Sequence, residues 1–162
     1  MKTLILYYSY GGNTRGIAQY IQKALGCDAA EIKTAAPYPA DYDAVVAQGQ
    51  AEINRGFMPE LLPLGVSPAA YDTILLGTPV WWYTFAPAVK TALAEIDWAG
   101  KTVYPFATNG GWLGHTFRDV AGACAGAVVK PGLNLRFDEH TQRTAMAEVD
   151  KWIAGVKKHD AR

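Results

Sequence analysis

A chain of 162 residues, half of them hydrophobic and 19% charged, has the length of one domain with its own core and the make-up of a soluble globular protein. Fifteen basic residues balance fifteen acidic ones with no basic block, which argues against nucleic acid and against an anionic membrane surface as partners. No apolar run is long enough to span a bilayer, and Met1-Lys2 leads straight into a strand pattern with no signal peptide, so a cytoplasmic address is expected.

The first strand reads as Leu4 to Tyr8, and a weaker one as Ala29 to Ile32. Between them Ile17, Tyr20, Ile21, Ala24 and Leu25 share one face of a helix. Residues 34–70 are too long for an ordinary connection. Pro37-Tyr38-Pro39 opens that segment, a short helix is expected from about Tyr42 to Asn54, and Pro59, Pro63 and Pro68 keep the remainder irregular. Long loops of this kind often serve as lids or binding elements. The third strand is Thr73 to Gly77, bounded by Tyr71-Asp72 and Pro79. Helical stripes follow at Val89, Ala92, Leu93 and Ile96, then at Phe117, Val120, Ala121 and Cys124, and finally at Val149, Trp152, Ile153 and Val156. The fourth strand spans Thr102 to Ala107. A fifth lies within Ala127-Val128-Val129 and Leu133-Asn134-Leu135, which Pro131-Gly132 interrupts. Runs this apolar suit strands buried on both faces. The alternation predicts one α/β domain over residues 1–162, a doubly wound parallel sheet with right-handed crossovers and helices on both faces. Cys27 and Cys124 lack metal-ligand spacing and read as small buried hydrophobes, with a disulfide as the minor alternative.

In open α/β sheets ligands bind beyond the carboxyl ends of the strands, where strand order reverses. After strand one comes Ser9-Tyr10-Gly11-Gly12-Asn13-Thr14 and then a helix. Two glycines let backbone amides converge, Ser9, Asn13 and Thr14 add polar side chains, and the helix offers free N–H groups. These residues suit a phosphate; a plain glycine turn with an Asn or Thr helix cap fits them equally well. Other phosphate loops do not fit. There is no G-x-x-x-x-G-K-[ST], no G-x-G-x-x-G, no cysteine nucleophile in the turn and no acidic residue after strands one and three.

After strand three comes Thr78-Pro79-Val80-Trp81-Trp82-Tyr83, whose aromatics can stack on a planar heterocycle or simply join the core. After strand four comes Thr108-Asn109-Gly110-Gly111-Trp112-Leu113-Gly114. It is either a backbone able to meet the edge of a ring or a flexible surface turn. Taken together, a phosphate turn beside two aromatic, glycine-rich loops fits a ligand with a phosphate at one end and a flat ring at the other, as in flavin mononucleotide (FMN).

These residues resemble the flavodoxin family over nearly the whole chain. The family's phosphate loop, roughly [ST]-x-T-G-N-T, is matched by Ser9 to Thr14 except that Gly11 stands where the family has a threonine, at the loss of one hydroxyl donor. A bacterial short-chain flavodoxin-like subfamily is closer. Tyr38-Pro39-Ala40-Asp41-Tyr42 matches its Y-P-x-D-Y, and Tyr71 to Trp82 matches its Y-D-x-I-x-x-G-x-P-x-W-W. Gly100 to Phe106 resembles its G-K-x-x-x-P-F. Where the subfamily continues T-H-G-G-S-G, this chain has Asn109 and Trp112 as departures.

The resemblance implies a flavodoxin-like five-stranded parallel sheet in the order 2-1-3-4-5, non-covalent FMN, and low-potential electron shuttling between transient redox partner proteins, a reductase and an acceptor. It places the phosphate at Ser9–Thr14 and the ring between Thr78–Trp82 and Thr108–Trp112. Trp81 or Trp82 borders one ring face and Trp112 the other. A monomer or weak dimer is expected. No catalytic side chain and no metal ligand are expected; His115 reads as a helix-start surface residue, and Arg15, Arg55 and Glu52 as candidates for the cofactor's surroundings. An FMN-dependent NAD(P)H reductase of quinones or other small acceptors is the alternative, and a module that kept the fold without the cofactor is a third.

Overall fold

The computed structural model describes residues 2–161. Five strands run parallel: β1 (Thr3–Tyr8), β2 (Asp28–Ile32), β3 (Thr73–Trp81), β5 (Thr102–Asn109) and β7 (Leu133–Asp138), in the order β2-β1-β3-β5-β7. This is the expected doubly wound order. Three two-residue strands add to it: β4 (Thr84–Phe85) folds back on β3, β6 (Val128–Val129) runs beside the start of β5, and β8 (Thr141–Gln142) folds back on β7. The helices are α1 (Asn13–Leu25), α2 (Tyr42–Arg55), α3 (Pro87–Ala94), α4 (Thr116–Ala123) and α5 (Met146–Asp160).

Strand β1 is buried along its whole length, and its pleat divides the core. Leu4 and Leu6 join Ile74, Leu76, Val89, Leu93 and Val120 on the face covered by α3 and α4. Ile5 and Tyr7 join Leu75, Phe106, Ile17, Ile21, Val149 and Ile153 on the face covered by α1 and α5. That is why the strands read as continuous apolar runs.

Both apolar runs suggested for the fifth strand lie beside β5. Val128 and Val129 pair with Thr102 and Val103, and after Lys130-Pro131-Gly132 Leu133 pairs with Phe106. Strand β3 is longer than the sequence suggests. It continues through Thr78, Pro79, Val80 and Trp81, because Thr78 and Pro79 stay in register with Ala107 and Thr108 and because Val80 and Trp81 pair with Phe85 and Thr84. Only Trp82 and Tyr83 form the turn.

The long segment contains the expected helix. Asp41 caps α2 by accepting from the Ala44 amide at 2.9 Å, and Gly56, with φ 65°, ends it. Residues 33–35 and 60–62 form an antiparallel clasp at the root of the segment. Ala35 N–H donates to Glu60 O at 2.9 Å and Leu62 N–H to Lys33 O at 2.8 Å. Cys27 and Cys124 are free thiols. Burial pushes Cys27 up to about 11 and Cys124 up to about 12. No helix among the described residues is long and apolar enough to cross a membrane.

Candidate functional site

The three turns singled out above meet at the carboxyl edge of the sheet. In the first, Gly11 and Gly12 have φ 81° and 99°, a left-handed region that side chains with a Cβ rarely occupy. Among the described residues, no hydrogen bond occupies the amides of Gly11, Gly12, Asn13 or Thr14. Gly12 is the N-cap of α1 and provides no side-chain cap, so the four amides and the positive end of the helix dipole stay available to an anion. The plain capped turn is therefore not what forms.

The side chains of this turn are used differently from the expectation. Ser9 Oγ accepts from Arg15 N–H at 3.1 Å. Thr14 is buried, and its hydroxyl shares a 2.8 Å hydrogen bond with Thr108 Oγ1. Asn13 Nδ2 donates to Glu139 O at 2.7 Å. Tyr10 turns away from the glycines; its hydroxyl donates to Pro39 O at 2.6 Å and its ring meets Trp81 edge-on at 6.0 Å. An anion here would be held mainly by backbone.

Beside the turn lies a cavity of about 450 Å³. Helix α2 contributes Tyr42, Val45, Val46 and Gly49, the β3–β4 hairpin Val80, Trp81, Trp82 and Tyr83, and the loop after β5 Asn109, Gly110 and Trp112. Tyr10 closes the end nearest the glycine turn. The volume lies in the range of small-molecule and cofactor sites. Trp81 forms the floor. Its indole packs on Gly49 and meets Tyr38 edge-on at 5.1 Å and Tyr8 at 6.0 Å.

Trp82 and Tyr83 have φ 49° and 70°, both left-handed. A two-residue hairpin of this kind normally carries Asn-Gly, and two aromatics there cost about 1–2 kcal/mol each. Strain of this sort collects at functional sites, where neighbours over-determine it. Here the neighbours are identifiable. His115 N–H donates to Tyr83 O at 2.9 Å, and Gly114 packs flat against the Tyr83 backbone. Thr78 Oγ1 accepts from Ala86 N–H at 3.2 Å and donates to Pro79 O, which braces the hairpin base. Thr84 Oγ1 donates to Asp119 at 2.6 Å, and Asp119 also holds His115, which as expected starts α4 at the surface.

Thr78, Pro79, Thr108 and Gly111 are absent from the cavity lining. Thr78 and Thr108 are buried supports, and the Gly111 amide donates to Asn109 Oδ1 at 2.9 Å. Trp81, Trp82 and Trp112 do line the cavity, with Trp112 72% exposed at its mouth. Val45, Val46 and Gly49 are not singled out by the sequence, while Tyr83 is named only within the aromatic run and Tyr42 only within a motif and as a helix start, neither as a site residue. The length of segment 34–70 and the run of aromatics were the only signals for them.

Arg15 turns to Glu31 at 2.6 Å, and Arg55 lies over the Phe57 ring at 4.5 Å. Glu52 is buried behind the cavity floor. It accepts from Tyr38 Oη at 2.5 Å and from Gln48 Nε2 at 2.8 Å. Burial first, then this hydrogen bond, raises the Tyr38 phenol, and burial raises Tyr8. Among the described residues, the cavity lining holds no carboxylate, imidazole or amine.

The structure bears comparison with known proteins. A family model described as flavodoxin matches residues 2–156. Flavodoxin 1 of Salmonella typhimurium is 32% identical over 108 residues, covering 64% of this chain; the chain spans about half, 47%, of that relative's length. A solved flavoprotein in complex with FMN from Lactobacillus acidophilus aligns at 29% identity with TM-score 0.74, over 93% of this chain and 97% of that one. A solved Bacteroides uniformis protein aligns at 29% identity with TM-score 0.81, over 94% and 97%.

Proposed function

This chain belongs to the flavodoxin family, and on that premise we propose that it binds FMN non-covalently and carries electrons between redox partner proteins. The observation that carries the reading is the adjacency of a side-chain-free amide turn and an aromatic cavity of cofactor size, with Tyr10 between them.

The fit to FMN is specific on both counts. The amides around Gly11 and Gly12, with the start of α1, would hold the phosphate. Trp82, Tyr83 and Trp112 would flank the ring, and the backbone at Asn109 and Gly110 would meet its polar edge. The bound flavin supplies the redox chemistry, and the protein tunes it by burial and hydrogen bonding. The residues of this chain exclude water and orient. Trp81, pinned by Tyr8, Tyr10 and Tyr38, keeps the cavity floor dry. Thr78 and Gly114 hold the aromatic hairpin in its strained form. Electron transfer at the exposed mouth requires no general acid or base. The partners in this reading are a transient reductase and a transient acceptor in the cytoplasm, with the chain itself a monomer or weak dimer.

A second reading, an FMN-dependent NAD(P)H reductase of quinones or other small acceptors, is favoured by one feature. Tyr42, 76% exposed, and Trp112 leave the cavity mouth open and aromatic, suited to a second flat molecule.

One experiment tests both. Purified protein is titrated with FMN and followed by absorption during stepwise reduction, then mixed with NADPH. Tight uptake of one FMN per chain, with NADPH oxidised no faster than by free FMN, supports the carrier. Oxidation faster than free FMN moves the assignment to the reductase. No uptake of FMN sinks both.

A further inference from the structure

We infer that His140, on the β7–β8 hairpin, is a ligand of the flavin phosphate and sets the preference for FMN over riboflavin; the inference rests on the FMN reading above. The hairpin pairs Phe137 with Gln142 and Asp138 with Thr141, so its tip is Glu139-His140. Glu139 takes φ 51°, a turn made without glycine. The tip reaches across the sheet edge to the phosphate turn. Glu139 O accepts from Asn13 Nδ2 at 2.7 Å, and Asn13 Oδ1 meets His140 Nδ1 at 3.1 Å.

These two contacts assign the proton positions. A backbone carbonyl only accepts, so the Asn13 amide must present its NH₂ to Glu139 and its oxygen to the imidazole. Nδ1 of His140 then donates to Asn13, and Nε2 is the nitrogen left for a ligand. The ring is exposed, so Nε2 is not sequestered in the core. The imidazole also sits over Gly11. A Cβ built on Gly11 would meet His140 Cε1 at 3.8 Å and nothing else within 4 Å. The space above a residue with no side chain is thus bordered by a group able to carry a positive charge. A further cavity of about 320 Å³, bordered by Gly12, Asn13 and His140, opens beside the contact.

The surrounding charges single out this imidazole. On the hairpin, Arg143 and Arg136 are engaged with Asp138, at 2.5 and 3.7 Å. On α1, Arg15 is engaged with Glu31. As imidazolium, His140 donates from Nε2 to the phosphate while its Nδ1–H stays on Asn13. Asn13 acts as the post that aims the ring.

Binding of FMN and of riboflavin is measured for the wild type, His140→Ala and His140→Lys. Hydrogen bonds to charged groups are the stronger class. His140→Ala should therefore lose about tenfold or more in FMN affinity and leave riboflavin affinity unchanged. His140→Lys restores a cation without the Asn13 contact and should recover most of the FMN affinity. The inference is overturned if His140→Ala binds FMN as the wild type does, if it weakens riboflavin as much as FMN, or if the lysine variant recovers nothing. A wild type that takes up neither flavin would instead bring down the FMN reading itself.

Discussion

Gly114 and Gly26 have almost the same φ, 60° and 62°, but different surroundings, and that pair allows the strained aromatic turn to be tested. A Cβ at Gly26 would meet nothing within 4 Å. A Cβ at Gly114 would lie 2.6 Å from Tyr83 Cα and closer still to its carbonyl oxygen, both backbone atoms that cannot swing away. Alanine at either site takes on a left-handed conformation at a cost of about 1 kcal/mol. At Gly114 the turn must also retreat. That breaks the 2.9 Å bond from His115 N–H to Tyr83 O, worth about 1 kcal/mol, and adds about 1–2 kcal/mol of overpacking. Relaxation of Trp82 and Tyr83 returns part of this. We expect about 1 kcal/mol for Gly26→Ala and about 3 kcal/mol for Gly114→Ala in urea unfolding of the ligand-free protein. The corresponding melting temperatures should fall by about 2–4 °C and about 6–12 °C. FMN affinity should be unchanged by the first and fall about tenfold with the second, because Trp82 and Tyr83 move with the turn. Equal costs at the two sites, with FMN binding intact in both, would refute the reasoning that Gly114 holds the aromatic turn in place.

Removing Glu52 leaves the Tyr38 hydroxyl and Gln48 amide without their acceptor; Glu52→Ala should cost about 2–3 kcal/mol in urea unfolding, and Glu52→Gln less. The raised Tyr8 and Tyr38 phenols carry a definite sign. Their folded values lie above the unfolded one, so their contribution to stability is whole below about pH 10 and is lost as pH rises further. Stability should fall on the alkaline side, and ultraviolet titration should show these two phenols ionising only with unfolding. Cys124 should resist alkylation at neutral pH until the chain unfolds, and Cys27 should react slowly. Trp82→Ala and Trp112→Ala should each weaken FMN binding by about 0.5–1.5 kcal/mol beyond the lost contact area, whereas Trp81→Ala should also lower stability because three tyrosines pack on it.

The five parallel lanes were legible because strands such as Leu4–Tyr8 are apolar on both faces and the intervening helices carry clear stripes. The end of β3 was not, since Pro79 and Trp81-Trp82 look like a loop, and an aromatic pair is a poor signal for a left-handed hairpin. Helix α2 was readable almost to the residue, yet periodicity says nothing of what a face meets, so its role as a cavity wall came only with the fold. The hydroxyl of Thr14 looked like a ligand donor, and packing instead turned it toward Thr108. His140 and Asn13 lie far apart in sequence; nothing local in Glu139-His140 announces a hairpin, or where its tip lands.

The clasp between residues 33–35 and 60–62 has a consequence for how this scaffold can diversify. Everything between those two short stretches leaves the sheet and returns to nearly the same place. The excursion can therefore lengthen, shorten or change its face with little disturbance to strand pairing. Specificity for whatever visits the open mouth is free to drift through Tyr42, Val45 and Val46, while the backbone amides around Gly11 and Gly12 stay as they are.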